Sequence, residues 1–135
     1  MTLDPIAPVP APRAPASVLI VDDTEDHRAL LRDLLAHAGY ALFEAHDGCA
    51  GVAMATAHRP DLIVMDIQLP ILDGYEATRR IKANPALAHI PIIAVTADAR
   101  WSDERLARTA GCNGFVTKPF SPRQLLSTVR ELLAA

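Results

Sequence analysis

The chain has 135 residues, half of them hydrophobic and only 4% aromatic, which fits one globular domain with an aliphatic core. A formal net charge of -3 and the lack of any polybasic run argue against nucleic-acid binding. No apolar stretch approaches the roughly 18 residues that span a bilayer, and no basic-then-apolar leader marks a signal peptide.

Residues 1–16 hold five prolines, many alanines and two charges, Asp4 and Arg13. Proline removes backbone donors, so this composition predicts a disordered, polyproline-like tail ahead of a folded domain over 17–135. Cys49 and Cys112 form no C-x-x-C pair and lack metal-ligand spacing with His. Reduced thiols in a cytoplasmic protein are expected.

From Ser17 the pattern becomes an alternation of strands and helices. Ser17–Val21 is a short buried strand ending at Asp22-Asp23. A helix follows with Leu30, Leu31, Leu34, Leu35 and Ala38 on one stripe, stopped by Gly39. Ala41–Ala45 reads as a weaker, edge-like strand. His46-Asp47-Gly48 then turns into a helix of small residues carrying Ala50, Val52, Ala53 and Ala57. The run Leu62–Asp66 is unbroken apolar residues closed by one carboxylate, as in a strand buried on both faces.

After Pro70, Asp73-Gly74-Tyr75-Glu76 reads as a helix N-cap with an acid at N3. Ile90–Thr96 is the fourth strand, with Pro91 tolerable only at its start. The next helix has a thin apolar stripe (Ala99, Leu106, Ala107, Ala110) before Gly111. Gly114–Thr117 is strand five. Ser121-Pro122-Arg123-Gln124 marks the start of a last helix that buries Leu125, Leu126, Val129, Leu132 and Leu133. Five such units predict a flavodoxin-like, doubly wound α/β fold: a five-stranded parallel sheet in the order 2-1-3-4-5 with five helices.

In a parallel sheet all carboxyl ends share one edge. That edge should gather Asp22 and Asp23 from strand one, Asp66 from strand three, Thr96 from strand four and Lys118 from strand five. Crowded carboxylates raise one another's pKa unless a cation joins them. Donors that are all oxygen, with no His or Cys among them, select a hard ion, and Mg²⁺ is the natural choice. Lys118 and Thr96 offer a positive charge and a hydroxyl suited to phosphoryl oxygens. His27, close after the acidic pair, reads as a first-turn helix residue rather than a ligand.

The motifs Val18-Leu19-Ile20-Val21-Asp22-Asp23, Met65-Asp66-Ile67-Gln68-Leu69-Pro70 with Asp73-Gly74, Val95-Thr96-Ala97 and Lys118-Pro119-Phe120 resemble the signature of response-regulator receiver domains. The resemblance spans about residues 17–134. It implies that Asp66 accepts a phosphoryl group from a histidine kinase's phosphohistidine. It further implies that Asp23, Asp66 and the backbone carbonyl of Gln68 ligate Mg²⁺, with Asp22 acting through metal-bound water. Thr96 matches the switch hydroxyl, Lys118 the phosphate-pairing lysine ahead of a cis Pro119, and Phe115 the switch aromatic, where many members carry Tyr. Such a chain catalyses only its own phosphorylation and dephosphorylation.

The implied partners are a histidine kinase or a histidine phosphotransfer protein. Phosphorylation would switch the helix-four/strand-five/helix-five face for partner binding, phosphotransfer or homodimer formation. Trp101, set among polar residues at the start of helix four, is a candidate anchor on that face. Gln68 and Asp98 lie at the pocket rim, where they could influence water access. An initiating Met and an Ala-Ala ending favour a stand-alone module over the receiver portion of a hybrid kinase or multidomain regulator. A remote alternative is an Mg²⁺-dependent phosphatase with an Asp nucleophile. Such haloacid-dehalogenase-like enzymes place the nucleophile after strand one with a second Asp two residues on, where this chain has Thr24.

Overall fold

The structure is a computed structural model that describes residues 15–97 and 101–134, the side chains of 101–103 excepted. The expected tail therefore lies outside the described residues. Strands β1 (Ser17–Val21), β2 (Ala41–Ala45), β3 (Leu62–Asp66), β4 (Ile92–Thr96) and β5 (Gly114–Thr117) alternate with five helices. These are α1 (Glu25–His37), α2 (Gly48–His58), α3 (Gly74–Ala83), α4 (Trp101–Ala110) and α5 (Pro122–Ala134). All strand pairs are parallel and the order is β2-β1-β3-β4-β5, as expected.

The two-residue period of a strand divides the core between the sheet's faces. Leu19, Val21, Ile63, Met65, Ile92 and Ala94 point to one face, beneath α2, α3 and α4. Val18, Ile20, Leu62, Val64, Ile93 and Val95 point to the other, where Leu31 and Leu35 of α1 meet Leu125 and Val129 of α5. Each fully buried aliphatic side chain contributes on the order of 1.5–3 kcal/mol relative to exposure. The three central strands are apolar except for Ser17 at the start of β1, Asp66 at the end of β3 and Thr96 at the end of β4, because neither face meets water. β2, at the edge, is only partly buried.

Local signals place several helix ends. Asp73 accepts from the Glu76 backbone N–H at 2.9 Å. Asp47 does the same for Ala50 at 2.7 Å, capping α2. Gly39 and Gly111 take positive φ just past α1 and α4. β4 begins at Ile92, two residues later than expected, so Pro91 stands before the strand.

Three helix stripes differ from expectation. Leu30 is 57% exposed and Ala38 is also exposed, because α1 turns Leu31 and Leu35 inward instead. In α2 Ala53 and Ala57 are exposed, and Gly48, Gly51 and Ala55 form the buried stripe. The cause is close approach: a Cβ on Gly48 would lie 2.0 Å from the Leu72 carbonyl oxygen. Leu106 of α4 is likewise 52% exposed, and Ala107 and Ala110 face the core.

Candidate functional site

The ladder hydrogen bonds run one residue past the strands and carry the polar groups to a common edge. Asp22 N–H donates to the Ala45 carbonyl at 3.1 Å, Ile67 N–H to Val95 at 3.0 Å and Lys118 N–H to Thr96 at 2.6 Å. Gly74 keeps the α3 entrance tight against this edge, since a Cβ there would lie 2.3 Å from the Asp66 carbonyl oxygen.

Asp22, Asp66 and Thr96 are buried, whereas Asp23 is exposed. One carboxylate oxygen from each of Asp22, Asp23 and Asp66 lies within 4.8 Å of the others. The Lys118 Nζ stands 3.1 Å from Asp22 Oδ2 and 3.5 Å from Asp66 Oδ2. Asp22 Oδ1 accepts from Thr24 N–H at 2.9 Å. Both oxygens of Asp22 thus have protein partners already. Asp66 Oδ1 accepts from Gln68 N–H at 3.0 Å, which orients the carboxylate and leaves Oδ2 facing the ammonium. The peptide bond between Lys118 and Pro119 is cis.

Burial pushes the Asp66 carboxyl above its ordinary range. Lys118 opposes that shift, Asp22 and Asp23 add to it, and the Gln68 N–H opposes it. Two of the three clustered carboxylates, Asp22 and Asp66, contact the lysine ammonium. An all-oxygen set with this charge excess fits a small hard dication that keeps some of its water.

Phe115 is half-buried on β5, opposite Ala94 of β4, and packs on the core beneath α3 and α4. Gln68 is exposed beside Asp66. The Trp101 side chain and Asp98 lie outside the described residues. Two residues that the sequence reading set aside or passed over join the site. His27 Nδ1 is 3.0 Å from Lys118 Nζ and 3.6 Å from Asp22 Oδ1. Arg28 donates to the Asp22 carbonyl at 2.7 Å while pairing with Glu25 and Glu44. Their place in the first turn of α1, just after the acidic pair, was the available signal.

Residues 18–130 match the model of the response regulator receiver domain. The chain belongs to that family. It is 43% identical over 119 residues to the polar-differentiation response regulator DivK of Brucella anthropi, covering 88% of this chain and 97% of that one. DivK of Brucella ovis is 42% identical, covering 87% and 95%. Among solved structures, a response regulator described as putative from Chloroflexus aurantiacus superposes with a TM-score of 0.87 at 32% identity, covering 90% of this chain and 99% of that one. The receiver domain of sensor histidine kinase PA1611 from Pseudomonas aeruginosa, solved with magnesium in its active-site cleft, gives 0.85 at 34% identity, covering 90% and 100%. The protein is therefore a receiver domain of two-component signalling, and no described helix is long and apolar enough to cross a membrane.

Proposed function

We propose that Asp66 is the phosphoryl acceptor and that the surrounding edge serves its phosphorylation. The carrying observation is the convergence of Asp22, Asp23 and Asp66 within 4.8 Å, with the Lys118 ammonium beside Asp66 Oδ2. An Asp66 carboxylate oxygen attacks the phosphorus of a phosphohistidine on a histidine kinase or histidine phosphotransfer protein. The new P–O bond forms as the P–N bond breaks, and the departing imidazole keeps the electron pair and takes up a proton. Gln68 N–H holds the carboxylate's rotation. Lys118 supplies positive charge to the phosphoryl oxygens and Thr96 a hydroxyl donor.

Asp23, Asp66 and the Gln68 carbonyl would hold Mg²⁺, with Asp22 reaching it through water. Bound Mg²⁺ would offset negative charge on the carboxylates and the incoming phosphoryl group. Both Asp22 oxygens already have protein partners, which favours that outer role.

The output is a shift in a pre-existing equilibrium, read through Thr96 and Phe115 by the face of α4, β5 and α5. Phe115 has no hydroxyl, so it acts by packing alone. That face binds a target or a second copy of the chain. The domain spans residues 17–135 behind a Pro/Ala-rich tail and works in the cytoplasm, where its only reaction is on itself. The phosphatase alternative is weaker: Thr24 occupies the place of its second Asp, and Thr24 N–H instead caps Asp22.

Incubation with acetyl phosphate and Mg²⁺, followed by intact mass spectrometry, tests the acceptor. Wild type gains one phosphoryl group, and the gain is lost in Asp66→Asn and without Mg²⁺. A gain that persists in Asp66→Asn would contradict the assignment.

A further inference from the structure

The Lys118 ammonium carries three N–H groups, and three partners from three different elements surround it. These are Asp22 Oδ2 after β1, Asp66 Oδ2 on β3 and His27 Nδ1 on α1, at 3.1, 3.5 and 3.0 Å. With its own hydrogen on Nε2, His27 presents Nδ1 as an acceptor to the lysine. The lysine side chain is only 16% exposed, so its position is set by these contacts more than by water.

His27 and Lys118 also line an apolar cavity of about 430 Å³ together with Leu30, Ala97, Pro119 and Phe120. Without the imidazole, the ammonium would keep its contacts with Asp22 and Asp66 and lose the third.

We propose that His27 is a positioning residue for phosphoryl transfer, holding the Lys118 ammonium over Asp66. The inference rests on the reading of Asp66 as acceptor. Once Asp66 Oδ2 is no longer a free carboxylate oxygen, Lys118 must exchange that contact for a phosphoryl oxygen. Asp22 and His27 remain as two fixed anchors, so the ammonium pivots within the site and does not have to be recruited from solvent.

The test compares wild type, His27→Leu and His27→Asn in phosphorylation by acetyl phosphate over a range of donor concentrations. Leu keeps the cavity wall and removes the acceptor. Asn returns an oxygen near the Nδ1 position. His27→Leu is expected to lower the maximal rate about tenfold, with the half-saturating donor concentration changed less than twofold, and His27→Asn to recover most of the rate. His27 lies on the surface of α1, and circular dichroism checks that each variant is folded.

A second readout is independent of turnover. The NMR resonance of the Lys118 ammonium, assigned with Lys118→Arg, should shift in His27→Leu and stay near its wild-type position in His27→Asn. Equal maximal rates for wild type and His27→Leu, or an Asn variant as slow as Leu, would overturn the His27 role alone. A wild type that takes no phosphoryl group, or label that survives Asp66→Asn, would overturn the acceptor reading and this role with it.

Discussion

Burial and two neighbouring carboxylates disfavour the ionised form of Asp66, and Lys118 with the Gln68 N–H only partly offsets them. The carboxyl's folded-state pKa lies above its unfolded value, so the folded state holds that proton more tightly. Ionisation at neutral pH therefore subtracts from stability, and the penalty vanishes as pH falls below the unfolded value near 3.9. In chelator at pH 7, Asp66→Asn should melt a few degrees above wild type, the shift that about 1 kcal/mol makes in a domain of this size. The gap should close as the pH is lowered towards 3. Thermal melts at the two pH values check this, and a variant no more stable than wild type at pH 7 would contradict it. The proposed acceptor is thus a residue that the bare fold is better off without.

Lys82 of α3 ties three elements together. Its ammonium donates to the carbonyls of Ala88 and Ile90 at 3.2 and 2.7 Å and to the Asn113 side chain at 3.0 Å. Asn113 Oδ1 also accepts from Ile92 N–H at 3.0 Å, so one cluster joins α3 to the starts of β4 and β5. Burial lowers the Lys82 pKa, and Cys112 opposes that shift. Lys82→Met keeps the stem and removes the donors; a loss of about 1–2 kcal/mol in denaturant unfolding is expected. Unchanged stability would show that water replaces those bonds.

α4 is secured more lightly: Ala107 and Ala110 are its buried residues among those described, and Leu106 faces outward. Ala107 and Ala110 of its apolar stripe were legible in the sequence, whereas Leu106 was misplaced and Ala99 lies outside the described residues. The stripe of α2 was not legible, because its inward face is glycine and alanine, and only the approach of Leu72 and Val21 explains why those positions turn in. The strand ends were readable because a carboxylate closing an apolar run has few other places to go. The contact of His27 with Lys118 spans 91 positions and depends on how the start of α1 meets the loop after β5, which no local pattern encodes.

Over the whole molecule, four β-α-β crossovers bring Asp22, Asp66, Thr96 and Lys118 to one edge of one sheet. The chain is of the receiver family, and its cluster of Asp22, Asp23 and Asp66 lies at that edge. The account's central claim is that a phosphoryl group ends on the Asp66 side chain as an acyl phosphate. Borohydride reduces an acyl phosphate to the primary alcohol and leaves free carboxylates untouched, so it marks the acceptor covalently. After phosphorylation, reduction and proteolysis, peptide mass spectrometry should find homoserine at position 66, dependent on Mg²⁺ and on the phosphoryl donor. Homoserine at position 22 or 23 with Asp66 intact would contradict the account.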